Sequence, residues 1–362
     1  MRGVPGRERE RGEQRHEGAV RIGILRLSSM GDIVLAGPVC RALHRAFPEA
    51  EIVFITTSRY AELAAALPGV GRVETIRRRG ASFTRDVSRL AEGSWDYLAD
   101  LQGSPRSAKV RRALRAGRNA VYRPPRFRRG VLIATKLRLG RFEPVPLRYL
   151  RAVSSWGVWD DDRGLTLRLG EELWQEAAKR WPVLLTKPYA IIPGAKHATK
   201  RWPGEYWAEL VGLLRRERPV IVIGGPGDMP REVAAVAGTN GRQVVDLTGR
   251  TPPLMTAAVL SGTKGIVSGD TGPMHLAVAS GRPLVALFGP TVREFGFFPF
   301  RASNARVLEA PLWCRPCSAH GGERCPLGHH RCMKRLTPDQ VEATLGRAVA
   351  EATRDRGGSP EP

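Results

Sequence analysis

Residues 268 to 291, SGDTGPMHLAVASGRPLVALFGPT, place a polar turn between two segments that are otherwise apolar. Pro273 stands where a helix would begin, and the first N–H groups of a helix have no intrahelical acceptor. The groups concerned surround the turn: Thr271, Gly272 and Met274. Together with the positive end of the helix dipole they attract an anion, so the segment predicts a phosphate site.

The side chains of this turn suit a bound nucleotide diphosphate. Asp270 ends the preceding strand and can cap the turn, while Gly272 lets a phosphate approach the backbone closely. Thr271 and His275 can donate hydrogen bonds to phosphate or sugar oxygens. For His275 alone, a structural role between two domains is the alternative.

A cationic loop, PGAKHATKRWPGEYW, occupies residues 193 to 207, between a predicted strand and a predicted helix. Lys196 and Lys200 supply compact positive charge and Thr199 supplies a hydroxyl donor. Such a loop can neutralise a diphosphate without a metal ion. The prolines that frame it make a freely solvated loop the weaker interpretation.

A carboxylate follows the first predicted strand in LRLSSMGDIVLAGPV, residues 25 to 39. Gly31 permits a tight turn from strand to helix, next to Ser29. Asp32 can then either cap the helix or point its carboxylate into a cleft, and the local sequence leaves both open.

Another carboxylate, Asp228, lies in the glycine-rich turn of VIVIGGPGDMPRE, residues 220 to 232. It could hold ribose hydroxyls, although turn chemistry alone also explains it. No G-x-G-x-x-G followed by an acidic residue about twenty positions later is present, which counts against an NAD-dependent dehydrogenase.

Four of the five cysteines are clustered, with the spacing C-x₂-C-x₇-C-x₆-C. They are Cys314, Cys317, Cys325 and Cys332. Four thiols so close in sequence could hold a structural zinc ion or an iron–sulfur cluster, with reduced thiols in a compact loop as the alternative.

The elements that position these residues alternate between short β-branched strands and amphipathic helices, which predicts α/β architecture with two doubly wound, Rossmann-like domains facing across a cleft. The strand carrying Asp32 belongs to the first domain, and the other turns belong to the second. The predicted limits are a disordered tail 1–20, a first domain 21–155, a connection 156–188, a second domain 189–336, a helix 337–353 and a tail 354–362.

The 58 Lys and Arg outnumber the 35 Asp and Glu, for a formal net charge of +23, which favours an anionic partner. No basic motif interleaved with aromatic residues is present, so we expect no nucleic-acid partner. The charged N-terminus does not resemble a signal peptide and no apolar run is long enough to span a bilayer, so we expect a cytoplasmic protein.

The segments SSMGD, PGAKHATKRWP and DTGPMHLAVASGRPLVALFGPT together resemble the ADP-heptose:lipopolysaccharide heptosyltransferase family over residues 21 to 350. The resemblance implies a GT-B fold. Its first domain would receive a lipopolysaccharide inner-core acceptor, and its second would hold the nucleotide-heptose donor. The helix 337–353 would return to the first domain.

By the same resemblance, Asp32 matches the catalytic base and Lys200 a phosphate-contacting lysine. The turn from Asp270 to His275 matches the donor-binding turn, and Asp228 an acidic residue that binds ribose. Gly269 stands where many members have Asn, so the preference for a particular sugar donor is not predicted. We expect acceptor contacts from the first domain, at Ser29, Gly31, Arg77, Arg78, Arg79, Gln102 and Arg106.

The implied reaction is an inverting transfer that needs no cofactor or catalytic metal, and the implied acceptor is an anionic glycolipid at the cytoplasmic face of the inner membrane. Two alternatives stay open: the same fold with another nucleotide sugar or glycan acceptor, and a non-enzymatic basic binding protein. The oligomeric state is not predicted.

Overall fold

The computed structural model describes residues 19–140, 142–238 and 243–357. Most of the predicted N-terminal tail 1–20 and the end of the predicted C-terminal tail, 358–362, lie outside the described residues. The described chain forms two parallel sheets, one from each half of the sequence, which confirms the predicted α/β class. None of its helices combines the length and apolar character needed to cross a bilayer.

The first sheet has five strands in the order β3-β2-β1-β4-β5. They are β1 (Arg21–Leu25), β2 (Glu51–Thr56), β3 (Arg72–Thr75), β4 (Tyr97–Asp100) and β5 (Arg118–Val121). Alternate residues of β2 belong to separate core clusters: Ile52 and Phe54 to one, Val53 and Ile55 to another. Both faces of the sheet are therefore covered, as the near-continuous apolar runs predict.

Seven α-helices accompany this sheet in the described part of the first half. They are α1 (Met30–Val34), α2 (Gly37–Ala46), α3 (Ala61–Ala65), α4 (Gly80–Ala91), α5 (Pro105–Leu114), α6 (Arg126–Thr135) and α7 (Val145–Val153). The sequence predicts one helix where α1 and α2 stand. The two are separate because Pro38 lacks the N–H that the carbonyl of Val34 would need to continue the helix.

The second sheet has six strands in the order β11-β10-β9-β6-β7-β8, all of them paired in parallel. They are β6 (Tyr189–Ile192), β7 (Val220–Val222), β8 (Val244–Asp246), β9 (Gly265–Gly269), β10 (Leu284–Phe288) and β11 (Ala305–Glu309). The central strands β9 and β10 are buried along their whole length.

The helices of the second half are α8 (Glu171–Arg180), α9 (Gly204–Leu214), α10 (Arg231–Gly238), α11 (Pro253–Ser261), α12 (Gly272–Ala279), α13 (Arg331–Lys334) and α14 (Pro338–Gly357). Helix α8 lies in the predicted connection 156–188 and packs against α11. We keep 21–155 and 189–336 as proposed domain limits.

Helix α14 corrects one expectation. Its main contacts are with α9 and with strands β9, β10 and β11, and Val341 and Leu345 belong to a core cluster of the second half. The helix therefore packs mainly on the second sheet, whereas the resemblance implied that it returns to the first domain. It also runs to Gly357, so residues 354–357 are helical and not part of a tail.

The two halves meet at the carboxyl ends of their central strands. One core cluster contains Ile24 and Ile33 from the first half together with Met274 and Leu276 from the second. Helices α1 and α12, which follow β1 and β9, pack against each other. The turns that precede α1 and α12 are thereby brought together where the halves face each other.

Candidate active site

A cavity of about 710 Å³ lies between the two halves and is lined by residues of both. The predicted residues that line it from the first half are Ser29, Gly31, Asp32 and Gln102. Those that line it from the second are Lys200, Asp270, Thr271, Gly272 and His275. The structure thus brings the first-turn carboxylate, the cationic loop and the predicted phosphate turn to one site.

The close approach of α1 and α12 depends on Gly31. A Cβ atom at this position would lie 2.6 Å from Cδ2 of His275 and 3.3 Å from Cα of Gly272. The first of these distances is shorter than any normal van der Waals contact. Only glycine therefore lets the two helix starts meet, and this places Asp32 opposite the turn at Thr271.

Asp32 is held by donors on three sides of its Oδ2 atom. The Ser29 N–H donates to it at 3.0 Å, the Ser29 hydroxyl donates at 2.7 Å, and the Arg26 guanidinium lies 2.8 Å away. The sequence left open whether Asp32 caps a helix or faces a cleft. In the structure it does both, because it bonds the backbone N–H that precedes α1 and also lines the cavity.

The charge of Asp32 is set by Arg26, a buried residue at the end of β1. Burial by itself would raise the pKa of the Asp32 carboxyl, but the Arg26 guanidinium and the Ser29 donors outweigh it and lower that pKa below its ordinary value. Arg26 is anchored in turn, because its Nη1 donates to the carbonyl oxygen of Leu101 at 2.5 Å. Asp32 is therefore a carboxylate at neutral pH.

Lys200 and Asp270 form an ion pair on the opposite side of the cavity. Lys200 Nζ lies 2.6 Å from Asp270 Oδ2, and the Thr291 hydroxyl donates to that oxygen at 2.6 Å. Lys200 ends a short 3₁₀ turn, Ala198–Lys200. The pair holds the Lys200 ammonium group next to the start of α12.

The N-terminus of α12 has polar groups without partners. Thr271 occupies the N-cap position, yet its side chain makes no capping hydrogen bond. Its Oγ1 is buried, as is Nδ1 of His275, and neither has a hydrogen-bond partner in the described chain. Burial lowers the pKa of His275 to about 4, so the imidazole is neutral at pH 7. The site therefore offers a neutral ring, a free hydroxyl and helix N–H groups to a ligand.

Three residues predicted for the donor side do not line this cavity. Lys196 is exposed, and the Thr199 hydroxyl accepts a hydrogen bond from the N–H of Gly322 at 2.8 Å. Asp228 accepts one from the N–H of Gly225 at 2.7 Å, as a residue of its own turn. Their contacts with a donor stay predictions.

The four arginines predicted for the acceptor side also lie outside the lining of the cavity. Arg77, Arg78 and Arg79 are exposed, and Arg77 is paired with Asp86 at 2.8 Å. Neither these residues nor Arg106 line the cavity. Gln102 does, but its Oε1 accepts the N–H of Leu27 at 3.0 Å, so its side chain supports the first turn.

Other residues of the cavity were not predicted: Arg26, Tyr122, Arg126, Arg129, Tyr149, Thr291, Phe295 and His320. Arg26, Tyr122 and Thr291 come shortly after β1, β5 and β10, and the rule that ligands bind at carboxyl ends of strands would have found them. Arg129 carried no such signal. It is only 8% exposed, it donates to the Phe295 carbonyl oxygen at 3.2 Å, and its Nε has no partner in the described residues.

The structure gives no support for a metal site at the cysteine cluster, which the sequence left open. All four thiols are free, and no group of three or more His, Cys, Asp or Glu in the described residues is arranged to hold a metal ion. The Cys317 thiol instead donates to the Cys314 carbonyl oxygen at 3.3 Å, and burial raises the pKa of Cys332 to about 11. The described residues thus give no support for a zinc or iron–sulfur site at this loop.

The sequence and the fold were compared with known proteins. Residues 84–324 match the family model of glycosyltransferase family 9 (heptosyltransferase). Lipopolysaccharide heptosyltransferase 1 of Pseudomonas aeruginosa is 26% identical over 363 residues, which cover 90% of this chain and 97% of that protein. The chain spans about half the length of several other curated heptosyltransferases that it matches.

Solved structures share the fold. The Escherichia coli ADP-heptose lps heptosyltransferase II superposes with a TM-score of 0.72 at 22% identity, covering 92% of this chain and all of that one. The E. coli heptosyltransferase WaaC with ADP gives 0.67 at 21% identity, with coverage of 91% and 100%. Both likenesses are to GT-B proteins with two parallel sheets. With a family model that matches most of its length, this chain belongs to glycosyltransferase family 9, the heptosyltransferases.

Proposed function

We propose that this glycosyltransferase moves a heptose from ADP-heptose to a sugar hydroxyl of a lipopolysaccharide inner-core acceptor, with inversion at the anomeric carbon. The observation that carries the proposal is the position of the ionised Asp32 opposite the start of α12, across one cavity. The identity of the transferred sugar and of the acceptor is inferred from the related heptosyltransferases. The geometry of the site supports the binding of a diphosphate and the presence of a proton acceptor.

On the donor side, Lys200 and the N–H groups that begin α12 bind the diphosphate. The Thr271 hydroxyl and the His275 ring gain the partners that they lack without a ligand. Negative charge grows on the diphosphate as it departs, so these groups stabilise the transition state more than the ground state. Binding of ADP by the related WaaC agrees with this assignment.

On the acceptor side, Asp32 is the general base. The acceptor hydroxyl oxygen attacks the anomeric carbon, the bond from that carbon to the diphosphate oxygen breaks, and the hydroxyl proton passes to Asp32. The carboxylate is ready for this role because Arg26 keeps it ionised. A positioned base of this kind typically contributes about 10² to 10⁴ in rate.

We further propose that the transfer needs no divalent metal. Lys200, held next to the start of α12, supplies the positive charge that a magnesium ion supplies in other enzymes acting on diphosphates. Transfer should therefore proceed at an unchanged rate in EDTA. Strict dependence on added magnesium or manganese, measured in the same assay, would contradict this part of the proposal.

The decisive test is a transfer assay of the purified protein with ADP-heptose and a panel of truncated inner-core acceptors. Transfer to one acceptor, with an inverted anomeric configuration in the product, is the expected result. ADP-glucose, ADP-mannose and their UDP and GDP counterparts serve as competing donors. Transfer from another donor would keep the enzyme class and change the substrate, whereas no transfer from any donor would overturn the proposal.

We propose that the protein acts at the cytoplasmic face of the inner membrane, because an inner-core acceptor is anchored there by its lipid.

A further inference from the structure

The positive charge of the chain is concentrated in one stretch. Residues 101 to 142 contain thirteen Lys or Arg and no Asp or Glu. The stretch includes α5, α6 and the turn that follows α6. Arg111 and Arg138 of this stretch pair with Asp100 and Glu294, but the stretch keeps a large excess of positive charge, which points to an anionic partner.

Large apolar side chains are exposed among these cations. Phe127 in α6 is 78% exposed, and Leu137 and Leu139 after the helix are 62% and 39% exposed. Single exposed apolar residues are normal on a protein surface. Three of them lie within thirteen residues, each next to an Arg or Lys in sequence. Together they form an apolar and cationic patch, which indicates a partner that is both apolar and anionic.

The inner side of α6 fixes this patch at the mouth of the cavity. Leu132 is buried in the core, and Arg129 and Ile133 line the cavity. The same helix thus contributes both to the site and, through Phe127, to the outer surface. A partner bound to the patch would lie directly beside the entrance to the site.

The cysteine loop of the second half continues the patch. Lys136 Nζ, at the end of α6, donates to the Pro316 carbonyl oxygen at 2.8 Å, which ties the two segments together. Trp313, three residues before Pro316, is 79% exposed, and His320 of the same loop lines the cavity. Exposed apolar side chains are therefore present in both segments that the Lys136–Pro316 hydrogen bond joins.

We propose that Phe127, Leu137, Leu139 and Trp313 form a docking surface for an anionic lipid bilayer. The inference rests on the proposed function, in which the acceptor is a glycolipid. Aromatic and leucine side chains enter the boundary between headgroups and acyl chains, and the surrounding arginines attract anionic headgroups. A bilayer satisfies both characters of the patch, whereas a nucleic acid would leave its aliphatic side chains without a partner.

Vesicle sedimentation tests the docking surface without any sugar transfer. The full chain is mixed with vesicles of phosphatidylglycerol or of phosphatidylcholine in about 0.1 M NaCl. We expect binding to the phosphatidylglycerol vesicles that weakens as salt is raised, and little binding to phosphatidylcholine. The double variant Phe127→Ser/Leu137→Ser, and separately Trp313→Ser, should bind the anionic vesicles about tenfold more weakly.

Trp159→Ser is the matched control, because Trp159 is also 72% exposed but lies in the connection between the domains. It should bind vesicles like the unchanged protein. Equal binding by the unchanged protein and the double variant, or no binding to the anionic vesicles, would overturn the proposal. So would a dimer in lipid-free sedimentation velocity that the double variant abolishes, since the occupant would then be a second copy of the chain.

Transferase assays separate this inference from the proposed function. With a deacylated, water-soluble acceptor, the double variant should keep the unchanged protein's kcat/KM. With the same acceptor carried in vesicles, it should lose activity in parallel with vesicle binding. Loss of activity on the soluble acceptor would assign the patch to the catalytic site instead. Absence of transfer by the unchanged protein overturns only the proposed function, because the vesicle result stands independently.

Discussion

The two helix starts that face each other across the cleft differ in how completely their polar groups are paired. At α1, donors from Ser29 and Arg26 surround the Asp32 carboxylate within 3.0 Å. At α12, the buried Thr271 hydroxyl and the buried His275 Nδ1 have no partner in the described chain. A buried polar group left unpaired costs about 1 to 3 kcal/mol. We infer that the first region is complete before substrate binds, whereas the second is completed by its ligand.

Replacing the central residue of the completed region should have the largest effect. We expect Asp32→Asn to lower kcat by about 10² to 10⁴ because the acceptor loses its base. The affinity for ADP, measured by calorimetry, should stay nearly unchanged, since Asp32 belongs to the opposite half of the cleft. Asp86→Asn is the control, because Asp86 pairs with Arg77 outside the cavity. A parallel loss of ADP affinity in D32N would contradict the separation of the two regions.

Replacing the cation of the second region should give a different pattern. We expect Lys200→Met to lower both the affinity for ADP and kcat/KM, the latter by about 10²-fold, because the diphosphate loses its charged partner. Calorimetry with ADP and steady-state kinetics check the two effects. Lys179→Met, at an exposed lysine of α8, is the matched control. Unchanged ADP affinity in K200M would remove Lys200 from the diphosphate site.

The pH dependence of the reaction tests how Arg26 prepares Asp32. The base acts only when ionised, so kcat/KM should fall on the acidic side as Asp32 takes up a proton. In Arg26→Met, only the Ser29 donors still oppose the effect of burial, so the pKa of Asp32 should rise and the acidic limb should move to higher pH. Arg26→Lys keeps the positive charge and should restore much of the original profile. An acidic limb that stays in place in R26M would show that Arg26 has only a structural role.

The comparison also shows which parts of the site could be predicted from sequence. The convergence of Asp32, Lys200 and the Thr271 turn followed from one rule, since all three lie at carboxyl ends of parallel strands. The same rule did not reveal that Thr199 lies outside the lining of the cavity. Its hydroxyl is taken by the N–H of Gly322, a partner 123 residues away that no local pattern reveals. The burial of Arg129 could not be predicted, because nothing in the sequence distinguishes this arginine from the many exposed ones.

Some features of the fold could be predicted from the sequence and others could not. Central strands such as β9 and β10 are buried along their whole length, and a continuous apolar run predicts that state directly. The edge strand β11 is only partly buried and gives a weaker pattern. The pattern of an amphipathic helix such as α14 predicts that one face is buried, but it does not predict which domain covers that face. The position of the helix is therefore known only from the structure.

The smallest expected effect concerns stability at the incomplete region. The pKa of His275 is about 4 in the folded protein because the ring is buried, against about 6.5 in an unfolded chain. Between these values only the unfolded chain takes up the proton, so the free energy of unfolding should fall as the pH decreases from about 6.5 to about 4.

Urea unfolding at a series of pH values measures this contribution. His275→Gln removes the titrating ring, so the free energy of unfolding should depend less steeply on pH in that window than in the unchanged protein. His44→Gln, at an exposed histidine of α2, is the matched control. Saturating ADP should increase the stability of the unchanged protein more than that of H275Q, because the ring is one of the groups that the ligand completes. Equal stabilisation of both proteins by ADP would place the His275 ring outside the donor site. Thr271 and Lys200 would then be the only side chains at the start of α12 proposed to bind the donor.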